Sequence, residues 1–433
     1  MDIAGTTAAE IADSVRALRE RGMLRPGDAL PPVRELAGLL GVNRNTAVAA
    51  YRQLAQAGLV ISKGRGGTLI AGAAHVAQEG IAADTVLQDI GSGNPDPRLI
   101  PDPTAALAGI VGRPVLYGEP VIDPGLEQWA REWMLADLPR DDLRITVTSG
   151  AVDAVERLLA QALMRDDAVA LEDPCFLASI HTVRLGGYRA VPVPVDAEGM
   201  TVEGLQAALD AGVRAIISTP RAQNPTGVSL SPARAEALRE VLRPHPYVLI
   251  IEDDHFSMLS AHPYASLIGT EHRRYALLRS VSKFLGPDMC LALAATDPMT
   301  AERLAMRLNP GTTWVSHLLQ RLAHAQLADA GVRTRIAEAA AHYAARNGAF
   351  VSALAERGIE TASSDGLSLW VRLAVPARTA AERLMRRGWL VRTGDEFRID
   401  ETSPASDHLR LTVHDLSAAD TARLLDDLEA AAR

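Results

Sequence analysis

The sequence predicts a multidomain chain: a small N-terminal α+β module, a linker, and a larger α/β domain with a parallel or mostly parallel sheet. Three observations carry this expectation. The chain has 433 residues, too many for one ordinary domain. Its charge is unevenly divided: residues 1–71 hold nine basic and six acidic side chains, a net +3, in a chain of formal charge −9. Beyond residue 89, continuous apolar runs alternate with helical patterns, as strands covered on both faces and their crossover helices do.

Composition narrows the classes. An apolar content of 48% suffices for a large core, and five Trp, seven Tyr and five Phe mean that Ala, Leu and Val build it. Two cysteines, Cys175 and Cys290, cannot form a disulfide framework or supply a zinc site, so no metal is expected. No apolar run approaches the roughly 20 residues of a membrane span, and no basic-then-apolar leader opens the chain. A soluble, cytoplasmic protein is expected. A basic module ahead of an acidic body suits a DNA-binding head.

In that module Ile11, Val15 and Leu18 share one face of a first helix that runs to about Arg21. Pro26-Gly27 breaks the chain. Pro32 suits the first position of a second helix, with Val33, Leu36, Ala37 and Leu40 inward. Gly41-Val42 turns the chain and Asn43 caps a third helix, whose packed face is expected at Ala47, Val48, Tyr51, Leu54 and Ala55. Arg44, Asn45, Arg52, Gln53 and Gln56 are left outside. Helix, glycine turn, helix is the pattern whose second helix reads the major groove. Leu59–Ile61 and Thr68–Ala71 read as a hairpin with the basic tip Lys63-Gly64-Arg65, suited to phosphates or the minor groove.

This segment resembles the winged helix-turn-helix of GntR-type transcription regulators. The matching residues are Leu30-Pro31-Pro32-Val33-Arg34-Glu35-Leu36-Ala37, Val42-Asn43-Arg44-Asn45-Thr46 and Gly64-Arg65-Gly66-Gly67-Thr68. The resemblance implies that Arg34, Arg44, Asn45, Thr46, Lys63 and Arg65 touch double-stranded DNA.

Residues 72–89 are small, polar and aperiodic, and read as the linker. The strands expected next are Ile145–Thr148, Ala168–Leu171, Ala190–Val195, Ala215–Ser218, Tyr247–Ile251 and Ala276–Ser280. Helices between them carry Val152, Val155, Leu158 and Leu159 on one face, then span about Val202–Leu209 and Pro232–Leu242. Ligands of such sheets sit at the carboxyl ends of the strands, so the strand ends carry the chemistry. Lys283 is one of only two lysines, with Lys63, against 42 arginines. An amine can lose its proton and attack a carbonyl to form a Schiff base; a guanidinium cannot. Ser149, Gly150 and Ala151 open a helix and suit an anion such as phosphate. Phe176 could stack on a flat ring, and Asn224 could donate to a phenolate oxygen. Glu252-Asp253-Asp254-His255 follows a buried run, where an acid is costly unless it meets a cation such as a protonated ring nitrogen. Ser280 and Ser282 flank the approach to Lys283. Amine, anion nest, aromatic, amide and buried acid together fit pyridoxal 5′-phosphate (PLP), with Asp253 keeping the ring protonated.

The body is similar to fold-type I aminotransferases through Gly91-Ser92-Gly93-Asn94-Pro95-Asp96-Pro97, Tyr117-Gly118, Ser149-Gly150-Ala151, Asn224-Pro225-Thr226-Gly227, Asp253 and Ser280-Val281-Ser282-Lys283, in that order. That resemblance implies a PLP-binding large domain over residues 90–324, a small C-terminal α+β subdomain over 325–433, Arg410 as the effector-carboxylate residue, and a homodimer. Two positions depart from the family. Cys290 stands where a phosphate-clamping arginine is usual, and His255 where a tyrosine on the phenolic oxygen is usual. Winged helix and aminotransferase-like body together resemble the MocR subgroup of GntR regulators. The implied function is a PLP-dependent transcription regulator that senses a small amine, an amino acid or PLP itself, without turnover beyond a half-transamination. Two alternatives stand beside it: an active aminotransferase with a DNA-binding head, and a cofactor-free dimerisation body.

Overall fold

The structure, a computed structural model, describes residues 3–57, 59–62, 67–70, 80, 85–110, 113–308, 314–359, 361–362, 364–400 and 404–432. The chain divides into two compact units, 1–78 and 79–433.

In the first unit, α1 (Ala8–Glu20) opens with a reciprocal cap: Glu10 N–H donates to Thr7 Oγ1, and the Glu10 carboxylate accepts from the Thr7 N–H. Such a box satisfies amides that the helix leaves unpaired. Next come β1 (Ala29–Leu30), α2 (Val33–Leu40), α3 (Arg44–Gln56), β2 (Val60–Ser62) and β3 (Thr68–Ile70). The strands pair antiparallel in the order β1-β3-β2. Pro32 caps α2 from outside rather than filling its first turn. Gly41 takes a left-handed φ of 64° at the turn into α3, where a β-carbon would strain the backbone. The packed face of α3 is Ala47, Ala50, Tyr51 and Leu54, the i, i+3, i+4, i+7 stripe. Val48 and Ala55 were expected inside and are exposed, because each lies one residue, about 100° of helix, off that stripe. Ile11, Val15 and Leu18 close the core from α1.

The second unit is built on an eight-stranded sheet. Its order is Arg144–Thr148, Ala292–Thr296, Tyr275–Ser280, Leu249–Asp253, Ala215–Ser218, Ala168–Asp173, Arg189–Asp196, Gly199–Met200. The five strands from Tyr275–Ser280 to Arg189–Asp196 run parallel. Ala292–Thr296 is antiparallel to both its neighbours, and Gly199–Met200 is an antiparallel edge. Neither was expected: the first is alanine-rich with no period, and the second is two residues long. The strand expected at Tyr247–Ile251 begins two residues later, with Tyr247 exposed. Helices pack on both faces, forming separate apolar clusters above and below the sheet. In the helix Ala151–Ala162 the buried face is Ala151, Ala154, Val155, Leu158 and Leu159; Val152, expected there, is 44% exposed for the same angular reason as Val48.

A third cluster gathers around the strands Leu369–Arg372, His408–Leu411 and Arg392–Thr393 and the helices Ala377–Met385 and Ala418–Ala432. The 26-residue helix Ala330–Ala355 joins the cores: Ile336, Ala339 and Tyr343 pack in the large one, Phe350 and Leu354 in the small one. Gln88–Asp89, at the end of the segment read as linker, pairs in parallel with Trp389–Leu390. Among the described residues, no helix is long and apolar enough to cross a membrane.

Candidate cofactor site and nucleic-acid interface

The carboxyl ends of the parallel strands converge on one cavity of about 250 Å³. It is lined by Ser149, Gly150 and Ala151, by Phe176, Asn224, Asp253 and His255, and by Ser280, Ser282 and Lys283. The structure therefore brings together all the residues expected at this site except Arg410. Gly150 holds φ 96° at the start of the helix Ala151–Ala162; although the Ser149 N–H just before it donates to Asp153 Oδ2 at 3.1 Å, no N-cap side chain among the described residues caps that helix. Its first amides thus remain available to an anion. Ser282 N–H donates to Ser280 Oγ, 3.2 Å away, which fixes the hydroxyls beside the lysine. Lys283 Nζ donates to the Gly93 carbonyl at 3.1 Å.

The three acids at the end of Leu249–Asp253 have separate fates. Glu252 accepts from Tyr264 Oη, from Ser266 Oγ at 2.8 Å and from Leu267 N–H; burial still pushes its carboxyl up to about 7. Asp254 is fully buried, which would raise its carboxyl, yet Arg221 and Arg279 hold it below the ordinary range. Arg279 also bonds Asp137 and lies 4.6 Å over the Trp133 ring, so this network braces the strand. Asp253 is 7% exposed, and among the described residues its Oδ1 has no hydrogen-bond partner. Burial, reinforced by the Asp254 charge and opposed by Lys283, pushes its carboxyl up to about 7. A buried acceptor on a residue that lines a cavity, without a donor among the described residues, is what a ligand N–H would satisfy.

Asn224 is oriented without ambiguity. Its Oδ1 accepts from Arg410 Nη1 at 3.0 Å, and because arginine only donates, the amide NH₂ is the end left for the cavity. Arg410 is 0% exposed, donates through Nη2 to the Gly91 carbonyl at 2.6 Å, lies 4.9 Å over the Phe397 ring and does not line the cavity. Cys290 does line it, exposed, with a left-handed φ of 40°. Sequence reasoning missed Thr219, whose N–H donates to Glu172 and which also lines the cavity. It directly follows the strand Ala215–Ser218, so its position just past a strand end was the available signal.

The residues fit PLP: a lysine for the aldehyde, a buried carboxylate with one oxygen lacking a partner among the described residues for the ring nitrogen, an amide NH₂, an aromatic and a glycine-started helix. Among the described residues no cluster could hold a metal ion.

In the first unit Arg34, Arg44 and Asn45 are exposed, with Thr46 half-buried. Arg34 and Arg44 form no ion pair with a described residue, so their charge is available to phosphates. Asn43 caps α3 by accepting the Asn45 N–H at 2.9 Å, which frees the first turn to face outward. Tyr51, 6% exposed, donates from its hydroxyl to the Pro31 carbonyl at 2.6 Å and ties α3 to the entry of α2. Lys63 and Arg65, expected at the hairpin tip, lie outside the described residues.

A winged helix with an outward basic first turn, joined to a PLP-binding aminotransferase-like body, defines a DNA-binding transcription regulator. Residues 7–70 match the model of bacterial regulatory proteins of the gntR family, and residues 91–428 that of aminotransferase class I and II. Over 99% of its length the chain is 46% identical to 99% of the vitamin B6 salvage pathway transcriptional repressor PtsJ of Salmonella typhimurium. It is 26% identical to the pyridoxine biosynthesis regulator PdxR of Corynebacterium glutamicum, over 69% of this chain and 68% of that one. In fold, 81% of the chain superposes on 90% of the kynurenine aminotransferase of Pyrococcus horikoshii with a TM-score of 0.72 at 21% identity. The chain belongs to the MocR subgroup of the GntR family of transcription regulators.

Proposed function

We propose that this regulator is a repressor whose effector is PLP itself, held covalently at Lys283, and that it acts as a cytoplasmic homodimer presenting two winged helices to a two-part operator. The observation that carries the reading is the buried, unpartnered Oδ1 of Asp253 in the cavity that contains Lys283. When bound, PLP supplies an aldehyde that condenses with an amine and a ring that withdraws electrons. Around it, Lys283 would provide the amine, and Asp253, whose carboxyl burial pushes up to about 7, would accept a hydrogen bond from the ring N–H and hold the proton there. Asn224 and His255 would bond the phenolic oxygen, and Phe176 would supply a face for the ring. Ser149, Gly150, Ala151, Ser280 and Ser282 hold the phosphate in place of the arginine that Cys290 replaces. Arg34, Arg44, Asn45, Thr46, Lys63 and Arg65 contact DNA. The names of the relatives PtsJ and PdxR, both tied to vitamin B6 compounds, support the choice of effector.

The test combines a PLP titration with DNA binding. Borohydride reduction is expected to fix PLP on Lys283, read as a mass increase that Lys283→Ala abolishes. Affinity for DNA upstream of the regulated gene is expected to change with PLP in the wild type and not in Lys283→Ala. A PLP-loaded protein whose DNA affinity is the same as that of the apo form would overturn the sensing model.

A further inference from the structure

Beside the PLP cavity, and sharing Asn224, His255 and Lys283 with it, lies a second space of about 30 Å³. That is room for about two or three waters. Asp365, Gly366, Leu367 and Ser368 of the segment 364–368 close it together with Lys283's other neighbours, Gly93, Asn224 and His255. The closure is tight and specific. Asp365 N–H donates to the Gly227 carbonyl at 2.8 Å, and the buried Asn347 donates from Nδ2 to the Gly366 carbonyl at 2.9 Å. Ser368 Oγ lies 3.2 Å from Thr412 Oγ1, which in turn accepts the Gly93 N–H at 3.1 Å. A β-carbon on Gly227 would stand 2.4 Å from Ser364 Cβ, so the two segments touch without slack.

The Asp365 carboxylate is the centre of this closure. It is 9% exposed, lines the small space, and accepts from Ser260 Oγ, from Ser229 Oγ at 3.3 Å and from the Gly366 N–H at 3.0 Å. Ser229 and Ser260 belong to the large core's side, so Asp365 fastens the two sides together. An amino-acid carboxylate placed here would have to displace those few waters and meet a largely buried carboxylate of its own sign, which is unfavourable at the lowered dielectric of such a site. Arg410, the cation the family resemblance offers to that carboxylate, lines neither space and already donates to Asn224 and Gly91.

We infer that the site admits PLP but excludes amino acids, and that Asp365, fastening 364–368 around the space it shares with Lys283, is the specificity-determining residue. This rests on the PLP reading above. The body thereby reports the cofactor rather than an amine donor.

The experiment uses the full chain loaded with PLP, checked first by borohydride trapping on Lys283. L-alanine is then added, and pyridoxamine phosphate and pyruvate are measured; the amino group would move to the cofactor as the keto acid leaves. The wild type is expected to form neither, and Asp365→Ala is expected to form at least tenfold more of both. In parallel, methylamine, small enough for the space, is expected to lower the trapped fraction on wild-type Lys283, while L-alanine leaves it unchanged. That comparison decides the matter even if Asp365→Ala does not fold. Wild-type conversion of L-alanine, or L-alanine lowering trapping as methylamine does, overturns the inference. A folded Asp365→Ala no more reactive than wild type overturns the role of Asp365. Failure to trap PLP at all overturns the PLP reading and this inference with it.

Discussion

Asp253→Asn should move cofactor affinity and apo stability in opposite directions. The wild-type carboxyl is held near 7 by burial, so ionising it in place costs on the order of 4 kcal/mol relative to a carboxyl at its ordinary 3.8, at about 1.36 kcal/mol per pH unit. Its folded value lies above its unfolded value, so that cost is absent at low pH and builds as pH rises toward the folded value. An asparagine removes the charge but still buries polar atoms without partners, a penalty of about 1–3 kcal/mol. The variant should therefore be more stable than wild type by about 1–3 kcal/mol near pH 8 and less stable by about 1–3 kcal/mol near pH 4, where the wild-type carboxyl is neutral and only the asparagine penalty remains. PLP binding should weaken about 10–150-fold, the loss of one charged hydrogen bond of about 1.5–3 kcal/mol. Urea unfolding of the apo protein at both pH values and a PLP titration followed by tryptophan fluorescence measure the two effects. Apo stability that falls at pH 8, or PLP affinity unchanged within twofold, would refute the assignment of Asp253 to the ring nitrogen.

Three further outcomes are expected. Asp254→Ala strands Arg221 and Arg279 in the core and should cost about 3–5 kcal/mol by urea unfolding, because a broken buried pair leaves uncompensated charge. Glu172 and Glu252 are also held near 7 by burial. With Asp253 they should lower the apo melting temperature as pH rises from about 6 to 8, since stabilisation by a raised carboxyl is lost as pH climbs through its folded value; scanning calorimetry across that range reads the slope. Arg44→Ala should weaken binding to all DNA sequences and reduce the log-affinity against log-salt slope by about 0.9 if it contacts one phosphate, measured by anisotropy at several salt concentrations.

Much was legible in the sequence because it is written locally. Caps, turns and apolar periodicity depend on neighbouring residues, so Asn43, Gly41 and the stripe of α1 could be read directly, as could the strand Ala215–Ser218. The errors at Val48, Ala55 and Val152 arise because an apolar residue one position off the stripe looks the same in sequence, and only packing decides which 100° of the helix faces in. The antiparallel strand Ala292–Thr296 was invisible because alanine favours no period, and its burial comes from partners more than a hundred residues away on one side.

The sequence by itself determined the kinds of group at the site and their order: one lysine kept among arginines, three acids after a buried strand, a glycine start to a helix. Tertiary structure alone decided their fates. Glu252 is satisfied by hydroxyls and a backbone N–H and Asp254 by two arginines, while Asp253 Oδ1 has no partner among the described residues, because those partners arrive from other loops and from the neighbouring strand. Asp365 carried no sequence signal, sitting in an unremarkable loop of small residues. Its place beside the space that Lys283 also lines exists only because the segment 364–368 docks against Gly227, where low dielectric and tight contact give one carboxylate control over what that space admits.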